Sequence, residues 1–102
     1  MQIKESHASP VPKRLKDARQ AKGLSQKELG IAAGIDEFSA SPRMNQYERG
    51  KHTPDFSMLK KLAKVLGVPT AYFYADDDWL ASAICALNKL PEDEKKNFSA
   101  TD

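Results

Sequence analysis

Gly23, Gly34, Gly50 and Gly67 cut most of this chain into short pieces, and each piece carries helical periodicity. Each piece also opens on a residue that starts helices. Pro12 suits a first helical turn. Ser25 is a good N-cap, and Glu28 three residues on completes a capping box. Ser41 caps the third piece with Pro42 in its first turn, and Asp55 caps the fourth. There is no strand alternation and no internal repeat, so the expected class is all-α.

The apolar positions give each helix an inner face. Leu15, Ala18, Arg19 and Lys22 share one side of the first helix. Leu29, Ala32 and Ala33 line the second, where Gly30 costs about 1 kcal/mol relative to alanine. A close helix–helix approach would account for that glycine. "IDEFSAS" reads as a connection. In "SPRMNQYERG", Met44, Tyr47 and Glu48 face inward, whereas Pro42, Arg43, Gln46 and Arg49 point away. Phe56, Leu59, Leu62, Ala63 and Leu66 form the clearest stripe. "PTAYFY" reads as one short turn packed by its aromatics. "DDDWLASAICALNKL" reads as a further helix whose acidic start suits the helix dipole, and "PEDEKKNFSATD" as a frayed one.

A length of 102 residues predicts one domain. Residues 1–75 hold 13 Lys+Arg against 7 Asp+Glu, while residues 76–102 hold 3 against 7. A basic body beside an acidic tail suggests a polyanion partner for the body. No apolar run is long enough to span a bilayer, and "MQIKESHASP" lacks the apolar core of a signal peptide, so a cytoplasmic protein is expected. Cys85 alone forms no internal disulfide, and with only His7 and His52 beside it a zinc site is not expected. No cofactor is implied. No nucleophile–base pair or phosphate-cradling glycine loop is visible, so the chain does not read as an enzyme.

"LKDARQAKGLSQKELG", "AGI" and "MNQYERGKHTPDFSMLKKLAKVLGV" follow one another at nearly the spacing of a known family. Residues 13–74 resemble the helix-turn-helix domain of phage repressors and Cro, the XRE family. The resemblance implies a five-helix, lambda-repressor-like DNA-binding domain over residues 12–75. A flexible arm over residues 1–11 precedes it, and residues 76–102 add a C-terminal helix and acidic tail. It implies a positioning helix over residues 25–34, with Ser25 and Gln26 near a phosphate, and a recognition helix over residues 41–49. Ser41, Pro42, Arg43, Asn45, Gln46 and Arg49 would meet DNA from that helix, and Lys51 and His52 would meet its backbone from the loop beyond. Arg suits guanine and Gln suits adenine. It also implies a structural ion pair between Arg19 and Glu48. Two departures stand out. The turn before the recognition helix is about four residues longer than usual, so "DEFSA" would bulge, with Phe38 placed to pack back on the body and Ser39 as an alternative cap. Gly30 replaces a common alanine.

The function implied is that of a transcriptional regulator, most simply a repressor, binding double-stranded DNA as a homodimer on a near-palindromic operator. The alternative is the antitoxin of a toxin–antitoxin pair, with a toxin protein as partner. No membrane partner is expected. Trp79, Leu80, Ala83, Ile84, Leu87 and Leu90 form one stripe of the last helix, about 140° wide at 100° per residue, with Cys85 outside it. Trp79 and Leu80 are expected inward, Trp79 forming a seam with Phe73 and Tyr74. Leu80, Ala83, Ile84, Leu87 and Leu90 form the expected dimer contact.

Overall fold

The computed structural model describes residues 8–99, all of whose regular structure is helical. Residues 1–7 of the expected arm and residues 100–102 of the tail lie outside the described residues. Helix α1 spans Val11–Lys22, α2 Gln26–Ala32, α3 Glu37–Glu48 and α4 Phe56–Leu66. A 3-10 turn over Thr70–Tyr74 leads to α5, Asp78–Asn88, and then to a single turn α6, Glu92–Lys95, and a 3-10 turn Lys96–Phe98. The core gathers Val11 and Leu15 from α1, Leu29 from α2, Met44 from α3, Leu59 and Leu62 from α4, and Phe73. Val11, placed in the arm by the sequence, is the first residue of α1 and is buried, because Pro12 occupies the second helical position rather than the first.

Helix α2 begins as its capping box dictates. Ser25 Oγ accepts from the Glu28 N–H at 2.9 Å, and Glu28 Oε1 accepts from the Ser25 N–H at 2.8 Å. Helix α3 begins where the sequence did not place it. Asp36, not Ser41 or Ser39, is the cap: its Oδ2 accepts from the Phe38 N–H at 3.0 Å and its carbonyl from the Ser39 N–H at 2.9 Å. The "DEFSA" segment is therefore no bulge but an added helical turn, and Pro42 sits inside the helix. There it cannot donate the N–H that would close on the Phe38 carbonyl.

Gly30 explains this extra turn. A Cβ on Gly30 would stand 2.9 Å from Ala40 Cβ and 3.1 Å from Met44 Cγ. Helices α2 and α3 thus meet at near backbone distance, and burying Ala40 in that contact holds the segment before Ser41 in helical register. The longer connection and the unexpected glycine are one feature.

Helix α4 starts on Asp55, whose Oδ1 accepts from the Met58 N–H at 2.8 Å, and buries Leu59, Leu62, Ala63 and Leu66. Phe56 departs from the expected stripe. It overhangs the core from the first helical position and is exposed, with the Lys60 ammonium 5.7 Å from its ring centre. In the following 3-10 turn Tyr72 and Phe73 are buried edge to face, ring centres 5.6 Å apart.

Helix α5 docks with a rotation the stripe did not foretell. Ala81 is buried, and Leu80, Ile84 and Cys85 pack against the core, while Trp79 is 69% exposed and Tyr74 is exposed. The expected Trp79 seam with Phe73 and Tyr74 does not form. The cause is Arg14, which the sequence placed on no face. It is buried on α1, where its Nε donates to the Ala75 carbonyl at 2.9 Å and its Nη1 to Asp78 Oδ1 at 2.8 Å. Tyr72 donates its hydroxyl to the Arg14 carbonyl at 3.1 Å. Fixing the start of α5 to α1 in this way turns its small residues, Ala81 and Cys85, toward the Tyr72 side.

Candidate nucleic-acid interface

Helices α1 and α3 are joined by a buried charge pair, to which α2 adds a hydrogen-bonding side chain. Arg19 Nε donates to Glu48 Oε2 at 2.6 Å and Nη2 to Oε1 at 3.0 Å, a bidentate contact. Arg19 Nη1 also donates to the Leu24 carbonyl at 2.9 Å, and Gln26 Nε2 donates to Glu48 Oε1 at 3.1 Å and to Asn45 Oδ1 at 3.4 Å. The hydrogen bonds to Glu48 hold the Arg19 guanidinium above its ordinary value. One carboxylate thereby ties α1, α2 and α3 together. Gln26, expected at a phosphate, is first of all a brace between the two helices, and Ser25 is first of all a cap.

The far side of α3 presents the remaining expected residues. With Ala40, Met44 and Tyr47 buried, the positions opposite at 100° per residue are Phe38, Pro42, Asn45 and Arg49, with Gln46 beside them. Ser41 and Arg43 lie on the two flanks. All seven are exposed. Phe38, expected against the body, is 88% exposed because the added turn carries it onto this outer line. The signal that could have found it is Asp36 followed by Glu37, an acidic helix start as valid as Ser41–Pro42.

Lys51 and His52 follow α3 in a closed turn. Gly50 adopts the left-handed conformation at φ 75°. Its N–H donates to the Tyr47 carbonyl at 3.2 Å, and the Lys51 N–H donates to the Gln46 carbonyl at 2.9 Å. This is the glycine-dependent termination that satisfies the last carbonyls of a helix. It fixes two exposed basic side chains immediately beyond the outer face. The arrangement is an exposed helix surface that carries Arg43, Arg49 and Lys51 with Phe38 as its one large apolar side chain, suited to a polyanion groove. Among the described residues no helix is long and apolar enough to cross a membrane.

Residues 13–72 match the family described as a helix-turn-helix domain. The chain belongs to the XRE family of helix-turn-helix regulators. It is 33% identical over 92 residues to the cryptic phage CTXphi transcriptional repressor RstR of Vibrio cholerae, across 83% of this chain and 78% of that protein. It is 36% identical over 66 residues to the HTH-type transcriptional regulator ImmR of Bacillus subtilis, across 65% of this chain and 49% of ImmR, so it spans about half of ImmR's length. Its structure is similar to the crystal structure of transcriptional regulator BswR, with a TM-score of 0.78 at 48% identity, covering 87% of this chain and 88% of that one. The all-α fold is shared with BswR, and the similar proteins are named as regulators or repressors of transcription.

Proposed function

We propose that this protein is a repressor that binds, as a homodimer, a near-palindromic double-stranded DNA operator. The observation that supports this most is the outer face of α3. It is exposed and carries Arg43, Asn45, Gln46 and Arg49, and it is held rigid from beneath by the Arg19–Glu48 pair. A helix of this kind lies in the major groove. Gln46 reads an adenine, Arg43 and Arg49 reach guanine or phosphate, and Ser41 and Asn45 hydrogen-bond alongside. Pro42 shapes the surface between them. Lys51 and His52 meet the backbone beyond the helix, and Ser25 and Gln26 border it on the other side.

The outer side of α5 supplies the dimer contact in this reading. Leu87 is exposed, as is Trp79, and Ala83 and, just beyond the helix, Leu90 are half-buried outside the core cluster, whereas Leu80 and Ile84 are shared with the core. Two half-sites about 34–36 Å apart suit a two-fold dimer. Asp76, Asp77 and Asp78 are exposed at the start of α5, and like charge keeps that end off the phosphates.

Selection of bound duplexes from a random pool tests the reading: an enriched palindrome is expected, and a pool that stays random overturns it. On the selected site, Gln46→Ala should blur preference at about one base pair, a loss of roughly 1–3 kcal/mol. Lys51→Ala should weaken all sequences alike and flatten the salt slope by about one unit. The dimer is tested by light scattering on Leu87→Lys combined with Ala83→Glu, which leaves the core-packed Ile84 intact. A dimer that persists in that variant places the interface elsewhere.

A further inference from the structure

Phe38 is the one large apolar side chain on the outer line of α3. We propose that Phe38 is a base-reading residue that packs against the C5 methyl group of a thymine in the major groove. The inference rests on the operator reading above and adds to it a second class of contact, apolar rather than hydrogen-bonded.

Three observations carry it. The first is placement. Phe38 falls on the line of Pro42, Asn45 and Arg49, one helical turn nearer the N-terminus, and recognition helices contact base edges mainly through their N-terminal residues. Eight residues separate it from Gln46, about 12 Å along a helix axis. That is well beyond the roughly 3.4 Å step between base pairs, so the two side chains read different base pairs.

The second is rigidity. The Phe38 N–H is tied to Asp36 Oδ2 at 3.0 Å, and Ala40, two residues on, is locked in the Gly30 contact. The backbone that aims the ring is thus fixed before any partner arrives. Among the described residues the ring is left open, 88% exposed.

The third is the company it keeps. A surface that docks another protein gathers apolar residues into a patch. Phe38 instead has Pro42, Asn45 and Arg49 along its own face. A single aromatic in a polar, cationic surface matches a groove that is anionic at its rims and carries thymine methyls on its floor, where a Phe–methyl contact is an established mode of readout. The acids of the same turn do not oppose this. Asp36 is engaged as the helix cap, and Glu37 lies about 100° round the helix from Phe38 with its carboxylate 3.9 Å from Lys27 Nζ.

The test uses the full chain and the operator recovered by random-pool selection. Each thymine is replaced in turn by deoxyuridine, which removes the methyl and keeps the base pair, and affinity is measured by fluorescence anisotropy for the wild type and for Phe38→Ala. One thymine per half-site is expected at which uracil weakens the wild type about fourfold, the effect of one lost methyl burial. Phe38→Ala should bind the natural operator at least that much less tightly and be indifferent to uracil at that position, while Gln46→Ala keeps the uracil effect. Phe38→Ala should melt like the wild type. If no uracil substitution weakens the wild type, the inference is overturned whatever the variant does. If Phe38→Ala keeps both full affinity and the uracil effect, the inference also fails and the operator reading stands. A wild type that enriches no sequence at all overturns both.

Discussion

Two arginines on α1, five residues apart, hold the two halves of this molecule, and they do so in different ways. Arg19 joins α1 to the end of α3 through Glu48, with the side chains 12% and 3% exposed. Arg14 joins α1 to α5 through Asp78, but here only the arginine is buried, at 5%, and the carboxylate is 81% exposed. Its second bond goes to the Ala75 carbonyl. Opposed charges out of water attract strongly and are costly to separate, while a carboxylate in water contributes little. The half that carries the proposed reading helix is therefore tied internally. The C-terminal helix packs on the core through Ala81, Leu80, Ile84 and Cys85, and the one buried charge at its start is Arg14, so it is expected to be the half that opens first.

The largest expected effect breaks the stronger side. Glu48→Ala leaves Arg19 charged, largely buried and without its carboxylate, and Gln26 loses its stronger acceptor. A loss of about 3–5 kcal/mol is expected in a urea melt. A loss below about 1 kcal/mol would show that the pair behaves as a surface contact and that the contrast with Arg14 is false.

Arg14→Ala addresses the weaker side. It removes the donor to the buried Ala75 carbonyl, for an expected cost of about 1–3 kcal/mol. The sharper readout is limited proteolysis, since cleavage between the 3-10 turn and α5 should accelerate while α1–α4 stay protected. Equal cleavage throughout would mean that α5 and the reading half unfold as one unit.

Gly30→Ala tests the reading half without touching charge. The new methyl meets Ala40 Cβ at 2.9 Å, and overpacking of this kind costs about 1–3 kcal/mol. Better helix propensity returns up to about 1 kcal/mol. A net destabilisation is expected, together with weaker DNA binding from a shifted α3. A stabilised variant would show that the α2–α3 contact yields easily.

The smallest effect belongs to Asp78. Hydrogen bonding from Arg14, then the charge of Lys13, holds its carboxyl below the ordinary value of 3.8. A depressed value means that the contribution is present above pH 3.8 and is lost as pH falls through the lower folded-state value. The difference in melting temperature between wild type and Asp78→Asn should therefore be small at pH 7 and close in more acid solution. A difference independent of pH would assign the effect to packing rather than charge.

Local rules in the sequence were enough for much of this. The Ser25–Glu28 capping box, the Asp55 cap and the glycine closures are decided within a few residues of one chain segment, so they were legible without any partner. The Arg19–Glu48 pairing came from resemblance to the XRE family, and the outward face of α3 near Gln46 from the phase of Met44 and Tyr47. The start of α3 was not legible. Ser41–Pro42 and Asp36–Glu37 are both sound helix openings, and the choice between them was made by Ala40 seating on Gly30, ten residues away. The same distant contact carried Phe38, expected to pack back on the body from a bulge, onto the exposed side of a helix. For α5 the apolar stripe was wide enough to admit several rotations, and a buried arginine that no periodicity marks selected one that leaves Trp79 outside. The sequence alone settled where helices can begin and end, because caps and glycines act over one turn of chain. Tertiary structure decided which start was used and which way a helix faced, because those depend on the shape and charge of surfaces that meet only after the chain has folded.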